Sequence, residues 1–446
     1  MAVDKRSKDT PVDIVIELES CDTTPAFRAA VIDGFELERT RLSGEYDLPT
    51  MDARKPSEAL GWNWLTQEDA AKKILENGQS CYISGIAGTG KSFFMKSLVS
   101  ELEKTKQVKI IAKCHVATLN AGVGLKHGTA LTAQSYVHKY NPFGGFTKGV
   151  LILEEIMTLD TGILHQISSR KKMDVQVIIL GDPNQFGAIG DSFNGMPCNE
   201  ESVISRGGSD RENNNWIKTM CDFNRVHLTE AKRCKPDDKL FMFYSALARP
   251  TIGFNEGGDY YDLELEEQIK MARAMFPMKC RTQWNLTVSH RTRKRINKEY
   301  NDLDAMYHDD KKWLPKSERA SPNDPQGYWL FRGLILISYI EAGRNNDMFN
   351  GELFEVIDFN DKHVIVQDIE SYTKLELTIE NVKHNPRIAY EFTNIGCQGR
   401  SLGNFETLDI PERGVTIWDT KSRYFTEKHL FTGMSRCRSG GLLQVQ

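Results

Sequence analysis

The chain has 446 residues, is 40% apolar and 26% charged, and carries a formal net charge of −4. That length suits about three domains of ordinary globular composition, no apolar run approaches the ~18 residues of a membrane-spanning helix, and the mild acidity confines any nucleic-acid surface to a local groove. Nine cysteines without a C-x-x-C pair speak against a zinc site or a disulfide framework and fit a reducing, intracellular compartment. The polar, charged start shows no signal-peptide core.

Residues 1–55 carry little pattern: Pro11 to Glu19 reads as a strand, Pro25 to Arg41 as a helix, and Arg54-Lys55-Pro56 as a linker. A new domain begins near Trp64, where Thr66 is placed to cap a helix over 67–76 with Asp69 three residues on. The apolar run Ser80–Ser84 then enters Gly85-Ile86-Ala87-Gly88-Thr89-Gly90-Lys91-Ser92 and leaves through a helix starting at Phe93. This is G-x-x-x-x-G-K-[ST] in its strand–loop–helix context, and those flanks disfavour a chance glycine-rich turn. Gly85, Gly88 and Gly90 let backbone approach phosphate oxygens. The loop N–H groups, Thr89 included, and the helix start present positive potential to an anion. Lys91 is suited to β- and γ-phosphates and Ser92 to Mg²⁺.

Farther on, the strand Val108–Lys113 precedes the small and polar residues Ala117–Gly122, and His127–Tyr136 has the same character. Such residues after strand ends sit where open α/β sheets bind ligands. The apolar run from Gly149 ends in Glu154-Glu155, and paired carboxylates at a buried strand end are costly unless a cation uses them. Glu154 suits a metal shell and Glu155 the activation of water; the alternative is a solvated strand end. Val175–Leu180 ends in Gly181-Asp182-Pro183-Asn184-Gln185-Phe186, where the Gln185 amide suits a γ-phosphate or a water. Alternating strands and helical stretches describe a doubly wound parallel sheet. Ser205–Asn215 reads as a mobile loop, residues 250–275 are acid-rich, and Tyr328–Val382 alternates like a small β-barrel.

In this order the motifs resemble those of superfamily 1 helicases, nearest to the Pif-type and RecD/Dda-like branch, over residues 62 to 440. The later matches are Trp216 with Leu228–Arg233, Phe243–Arg249, Ser289-His290-Arg291-Thr292 with Ile296-Asn297, Phe349-Asn350-Gly351-Glu352, Thr393–Ser401 and Phe431–Arg438. The chain departs from the family by having Glu154 where Asp is usual and Ile395-Gly396-Cys397 before Gln398-Gly399. Asp69 also stands where an adenine-reading Gln is expected, with Gln67 two positions early.

The resemblance implies an α/β fold of two RecA-like P-loop domains with a small inserted β-barrel-like subdomain. The expected division is 1–55; 56–226 with a wedge-like insertion near 187–226; 227–327 with 386–446; and 328–385 as the insert. It implies ATP and Mg²⁺ as cofactors and movement 5′ to 3′ on a single strand, DNA favoured over RNA, with replication or repair proteins as candidate partners. Glu155, Gln185, Arg233 and Arg436 would be catalytic, Arg436 as an arginine finger; Gln67 joins the nucleotide-binding candidates. Thr118, Asn120, Thr132, Gln134, Tyr136, Thr393 and Ser401 would meet nucleic acid. His138, Phe186 and Phe193 are stacking candidates, with core packing as the alternative. Arg291, Arg293, Lys294, Arg295 and Lys298 form a phosphate path or a solvated helix face. An RNA helicase and an ATP-gated binding module without unwinding are the competing functions.

Overall fold

The computed structural model describes residues 61–446 apart from 123, 140–145, 170–173, 189–191, 194–195, 198–214, 236, 249–258, 317–325, 339–347, 349, 370, 394, 398–399, 401 and 403–412. The expectations for residues 1–55, for most of the 205–215 loop, for Phe349, Gln398 and Gly399 and for Ser401 lie outside the described residues.

The first part of the chain runs β1 (Asn63–Leu65), α1 (Gln67–Leu75), β2 (Cys81–Gly85), α2 (Lys91–Leu102), β3 (Val108–Ala112), α3 (His115–Gly122), β4 (Thr129–Thr132), α4 (Ala133–Lys139), β5 (Gly149–Leu153), α5 (Thr161–Ser169) and β6 (Val175–Gly181). A two-stranded ribbon, β7 (Ser192–Phe193) and β8 (Met196–Pro197), precedes α6 (Asn215–Met220) and β9 (Asn224–Leu228). Seven of these strands form one parallel sheet in the order β1-β9-β2-β6-β5-β3-β4.

β2, β3, β5 and β6 are buried along their whole length, as strands covered on both faces must be. One face packs Ile83, Ile110 and Ile152 under Met95 and Leu98 of α2. The other packs Tyr82, Leu151, Leu153, Val177 and Ile179 against Leu164 and Ile167 of α5. Thr66 caps α1 as expected, accepting from the Asp69 N–H at 3.1 Å. Consecutive strands β2 and β3 lie on opposite sides of β6 and β5, so the carboxyl ends of β2, β5 and β6 face one crevice.

The second part begins with α7 (Lys239–Ala246), α8 (Leu265–Met275), β10 (Trp284–Thr287) and α9 (His290–Ala305). It continues through β11 (Lys312–Leu314), β12 (Tyr328–Leu330), β13 (Ile335–Ser338), β14 (Leu353–Phe359), β15 (His363–Asp368), β16 (Lys374–Thr378), α10 (Ile379–His384) and β17 (Pro386–Ile388). It closes with β18 (Glu391–Thr393), β19 (Val415–Ile417), α11 (Glu427–Met434) and β20 (Leu443–Val445). β18-β10-β19-β20 make a second parallel sheet, and β16-β15-β14-β13-β17 an antiparallel one. The α/β architecture with a large parallel sheet flanked by helices is therefore as expected.

Three boundaries move. β9 pairs with β2 up to Gly85↔Leu228, so the first sheet extends past 226. The antiparallel strands start at β11, which pairs Lys312 with Leu330, and end at Ile388, outside 328–385. Alternation of apolar residues does not reveal the partner of a three-residue strand, and both ends were missed for that reason. The β11–β12 hairpin and the five-stranded sheet are hydrogen-bonded separately but share one core, which includes Leu314, Leu330, Leu336, Phe354 and Val366. Among the described residues no helix is long and apolar enough to cross a membrane, and the seven described cysteines are free thiols.

Candidate active site

β2 ends at Gly85, and the chain turns through Ile86–Gly90 into α2. Gly88 has φ 86°, and a Cβ there would stand 2.8 Å from the Tyr244 hydroxyl. Glycine at that point answers both the left-handed backbone and the lack of room. Lys91 leads α2 and folds its Nζ onto the carbonyls of Gly85 and Ile86, at 2.7 and 3.0 Å. Burial lowers its pKa, against the pull of Asp182 and Glu154.

Behind it, the Ser92 hydroxyl donates to Glu154 Oε1 at 2.9 Å. Glu154 is buried, and desolvation, followed by the charge of Glu155, raises its pKa to about 7. Its second oxygen, Oε2, is buried without a hydrogen-bond partner. An unpartnered carboxylate oxygen beside a serine hydroxyl is a donor set suited to a hard divalent cation, so these residues fit Mg²⁺. Glu155 follows with left-handed backbone, φ 50°. Burial raises its pKa, and the opposing cations are led by Arg436.

β6 delivers Asp182, which accepts from the Asn184 N–H at 3.0 Å and from Gln185 Nε2 at 2.9 Å, fixing the Gln185 amide. Arg233 arrives on the segment after β9. Its Nη1 donates to the Ser435 carbonyl, and burial, then the neighbouring Arg436, bring its pKa down to about 10. Arg436 follows α11 and is 2% exposed. Its Nε, Nη1 and Nη2 donate to Thr432 O, Arg400 O and Ser435 Oγ at 3.2, 3.2 and 3.0 Å. Lys91, Ser92, both glutamates, Gln185 and both arginines line one cleft of about 680 Å³. Anionic phosphate, a cation and a water could all be handled there, with charge supplied from both parallel sheets.

Other expected residues fall elsewhere. Thr89 is buried, and its hydroxyl donates to Ile86 O at 2.8 Å, propping the loop from behind. Gln67 is exposed at the start of α1 and is not part of the cleft lining. Among the strand-contact candidates, Thr118 is buried and donates back to the Cys114 carbonyl at 2.8 Å, while Asn120 lines the nucleotide cleft. Thr132 caps α4, accepting from the Ser135 N–H at 3.2 Å. Tyr136 is 1% exposed in the sheet core. Gln134 is exposed, and Thr393, half-buried at the end of β18, accepts from the Gly396 N–H at 3.3 Å.

His138 is exposed, but Phe186 packs edge-on against His429 of α11 at 4.7 Å and is 9% exposed. Phe193 lies in β7. The basic run divides as well. Arg293 is buried 3.9 Å from Glu391, whereas Arg295 and Lys298 pair with Glu299 and Asp302 along α9. These positions were named from polarity and order alone, and neither reveals which way a side chain points.

Reading the sequence also missed a grip on the phosphate loop. The N–H groups of Lys232 and Arg233 donate to Gly88 O at 2.8 and 3.0 Å. The Tyr244 hydroxyl donates to Ala87 O at 2.9 Å, and its ring meets Phe431 edge-on at 5.7 Å. In Phe241-Met242-Phe243-Tyr244 a tyrosine reads as core, so nothing in the sequence marked it. Arg438, which also lines the cleft, carried a signal: it is the second arginine of Ser435-Arg436-Cys437-Arg438.

Comparison with known proteins agrees with this arrangement. Residues 65–201 match the model of an AAA domain family. The ATP-dependent DNA helicase PIF1 of Rattus norvegicus is 30% identical over 158 residues, 31% of this chain and 24% of the relative. The chain thus matches about a quarter of the length of that curated relative. In fold, the chain resembles Pif1 solved for DNA unwinding at forked dsDNA, with TM-score 0.59, 18% identity and coverage of 85% and 91% of the two chains. Bacteroides Pif1 bound to ssDNA gives TM-score 0.55 at 18% identity, covering 85% and 91%. The resemblance to Pif-type helicases holds in sequence over 31% of the chain and in fold over most of it, and the fold is that of paired RecA-like domains.

Proposed function

We propose that this chain is an ATP-driven helicase that moves 5′ to 3′ on single-stranded DNA. The observation that carries the reading is the single cleft in which the Lys91–Ser92 loop and Glu154-Glu155 of one sheet meet Arg436 of the other. In this reading β1–β9 belong to the first motor domain, β10 and β18–β20 to the second, and β11–β17 to an insert over the strand path.

Lys91 exchanges its loop carbonyls for β- and γ-phosphate oxygens, which are stronger acceptors. Ser92 and Glu154 would hold Mg²⁺, which would offset phosphate charge and favour the ionised form of Glu154. Glu155, its proton affinity raised by burial, takes the proton of the attacking water that Gln185 orients. Arg233 and Arg436 stabilise charge on the transferred phosphoryl group. Because Arg436 and the loop come from different sheets, triphosphate favours a closed cleft and hydrolysis weakens that closure. The single-strand substrate is supported by the likeness to Bacteroides Pif1 bound to ssDNA, and the direction by the resemblance of the ordered motifs.

The test is steady-state ATP hydrolysis with and without single-stranded DNA or RNA, with Glu155→Gln as control. Stimulation by DNA that disappears in the variant is expected, followed by unwinding of a 5′-tailed duplex. Stimulation by RNA alone overturns the DNA assignment. ATP-dependent strand binding without turnover makes the chain an ATP-gated binding module.

A further inference from the structure

Another buried arginine meets Arg436 through its backbone. Arg400 is 6% exposed, and its carbonyl accepts from Nη1 of Arg436 at 3.2 Å. The Leu402 N–H donates to the Arg436 carbonyl at 2.9 Å. One short segment thus holds the proposed arginine finger by both side chain and backbone. The Arg400 side chain serves a different part of the fold. Its Nη2 donates to the carbonyl of Gly351, and its guanidinium lies 5.7 Å from the centre of the Phe392 ring.

Gly351 sits in the turn that enters β14, with φ 94°. Its N–H donates to the carbonyl of Ser338 at the end of β13, at 3.0 Å, and the Ser338 N–H returns a bond to Glu352 O at 2.9 Å. The turn is therefore knitted into the antiparallel sheet. Burying a guanidinium is expensive, and an apolar side chain of similar length would fill the space at lower cost. A charge kept there supplies a directed bond to the antiparallel sheet, which packing alone does not require.

We propose that Arg400 is a positioning residue that couples Arg436 to the inserted antiparallel sheet, passing the nucleotide state of the cleft to the turn that enters β14. The inference rests on the nucleotide reading of that cleft. An Arg436 guanidinium drawn toward an anionic γ-phosphate gives up its bond to the Arg400 carbonyl. The segment bearing Arg400 shifts with it, and the Arg400 guanidinium carries the displacement to Gly351.

Hydrogen exchange of the full chain, with and without Mg²⁺, ADP and aluminium fluoride, tests this. In the unaltered chain the complex changes exchange both at the phosphate loop and at the amides of Gly351 to Val356. Arg400→Met keeps the phosphate-loop change and loses the one at 351–356; Arg400→Lys, which still offers a cationic donor, recovers part of it. Should Arg400→Met fail to fold, Arg400→Gln, polar but too short to reach Gly351, is expected to give the same loss. A 351–356 response that survives in these neutral variants overturns the coupling. So does an unaltered chain in which the phosphate loop responds and 351–356 does not. If the phosphate loop itself is silent, the nucleotide reading fails and the coupling falls with it.

Discussion

The nucleotide cleft and the positions expected to grip a strand both draw on the two parallel sheets, yet they differ in how their residues are held. In the cleft, Lys91, Ser92, Glu154, Glu155, Gln185, Arg233 and Arg436 come from distant points of the chain and share one cavity. The strand-contact candidates scatter: Tyr136 joins the core, Thr118 bonds its own helix, Thr132 caps α4, and Asn120 belongs to the cleft. Phosphate chemistry needs fixed charges at strand ends, which leave a pattern in sequence. Gripping a sugar–phosphate backbone needs only exposed donors and apolar faces, and many arrangements supply those.

Five outcomes would break or sharpen that contrast. The largest effect is expected from Lys91→Ala: ATP hydrolysis falls by about a thousandfold or more, while single-strand binding measured by anisotropy stays within about twofold. If binding falls in parallel, the two regions are not separable. Arg436→Lys keeps a charge but not the planar fork, and kcat should drop about a hundredfold or more with a smaller change in the KM for ATP.

The pH dependence follows from Glu154, whose pKa in the fold is about 7, above its ordinary 4.5. A raised acid favours the fold while protonated, so its contribution is complete below about 4.5 and is lost as pH rises through about 7. Without metal, thermal stability should therefore decline across that window, and Mg²⁺ should restore it on the alkaline side. The half-saturating Mg²⁺ concentration should climb about tenfold per unit as pH drops below about 7. A flat metal requirement would show that Glu154 does not ligate.

Tyr244→Phe removes one hydrogen bond from the phosphate loop, and an approximately three- to tenfold rise in the KM for ATP is expected. The smallest effect belongs to the other region. Gln134→Ala should weaken single-strand binding by only about two- to fivefold, whereas Tyr136→Phe should leave it unchanged. Reversal of those last two would return Tyr136 to the strand-binding surface.

What was legible in the sequence follows the same division. The phosphate loop, Glu154-Glu155 and Gln185 could be placed because strand, loop and helix are local signals with a fixed spacing. Arg233 and Arg436 were found through the order of motifs, since a lone arginine carries no geometry of its own. Gln67 falls outside the cleft lining although its helix is as expected: Thr66 caps α1 through the Asp69 N–H, and Gln67, the first helical residue, is exposed. The limits of the antiparallel insert escaped because β11 and β17 are three residues each and are defined by partners far along the chain. Tyr244, Arg400 and Lys232 act across the fold through hydrogen bonds to backbone carbonyls or through backbone N–H groups, and a carbonyl or an N–H has no letter in the sequence.

Gly88 and Tyr244 carry one further consequence, for descent. A methyl group at Gly88 would collide with the tyrosine hydroxyl, and loss of the hydroxyl would leave the Ala87 carbonyl without its donor. Neither position can drift alone without harming the loop. Across a lineage the two should change together or remain fixed, although one sits in the first parallel-sheet unit and the other in a helix beyond it. A relative that carries a side chain in place of Gly88 and still has tyrosine at the α7 position would have to seat its phosphate loop differently.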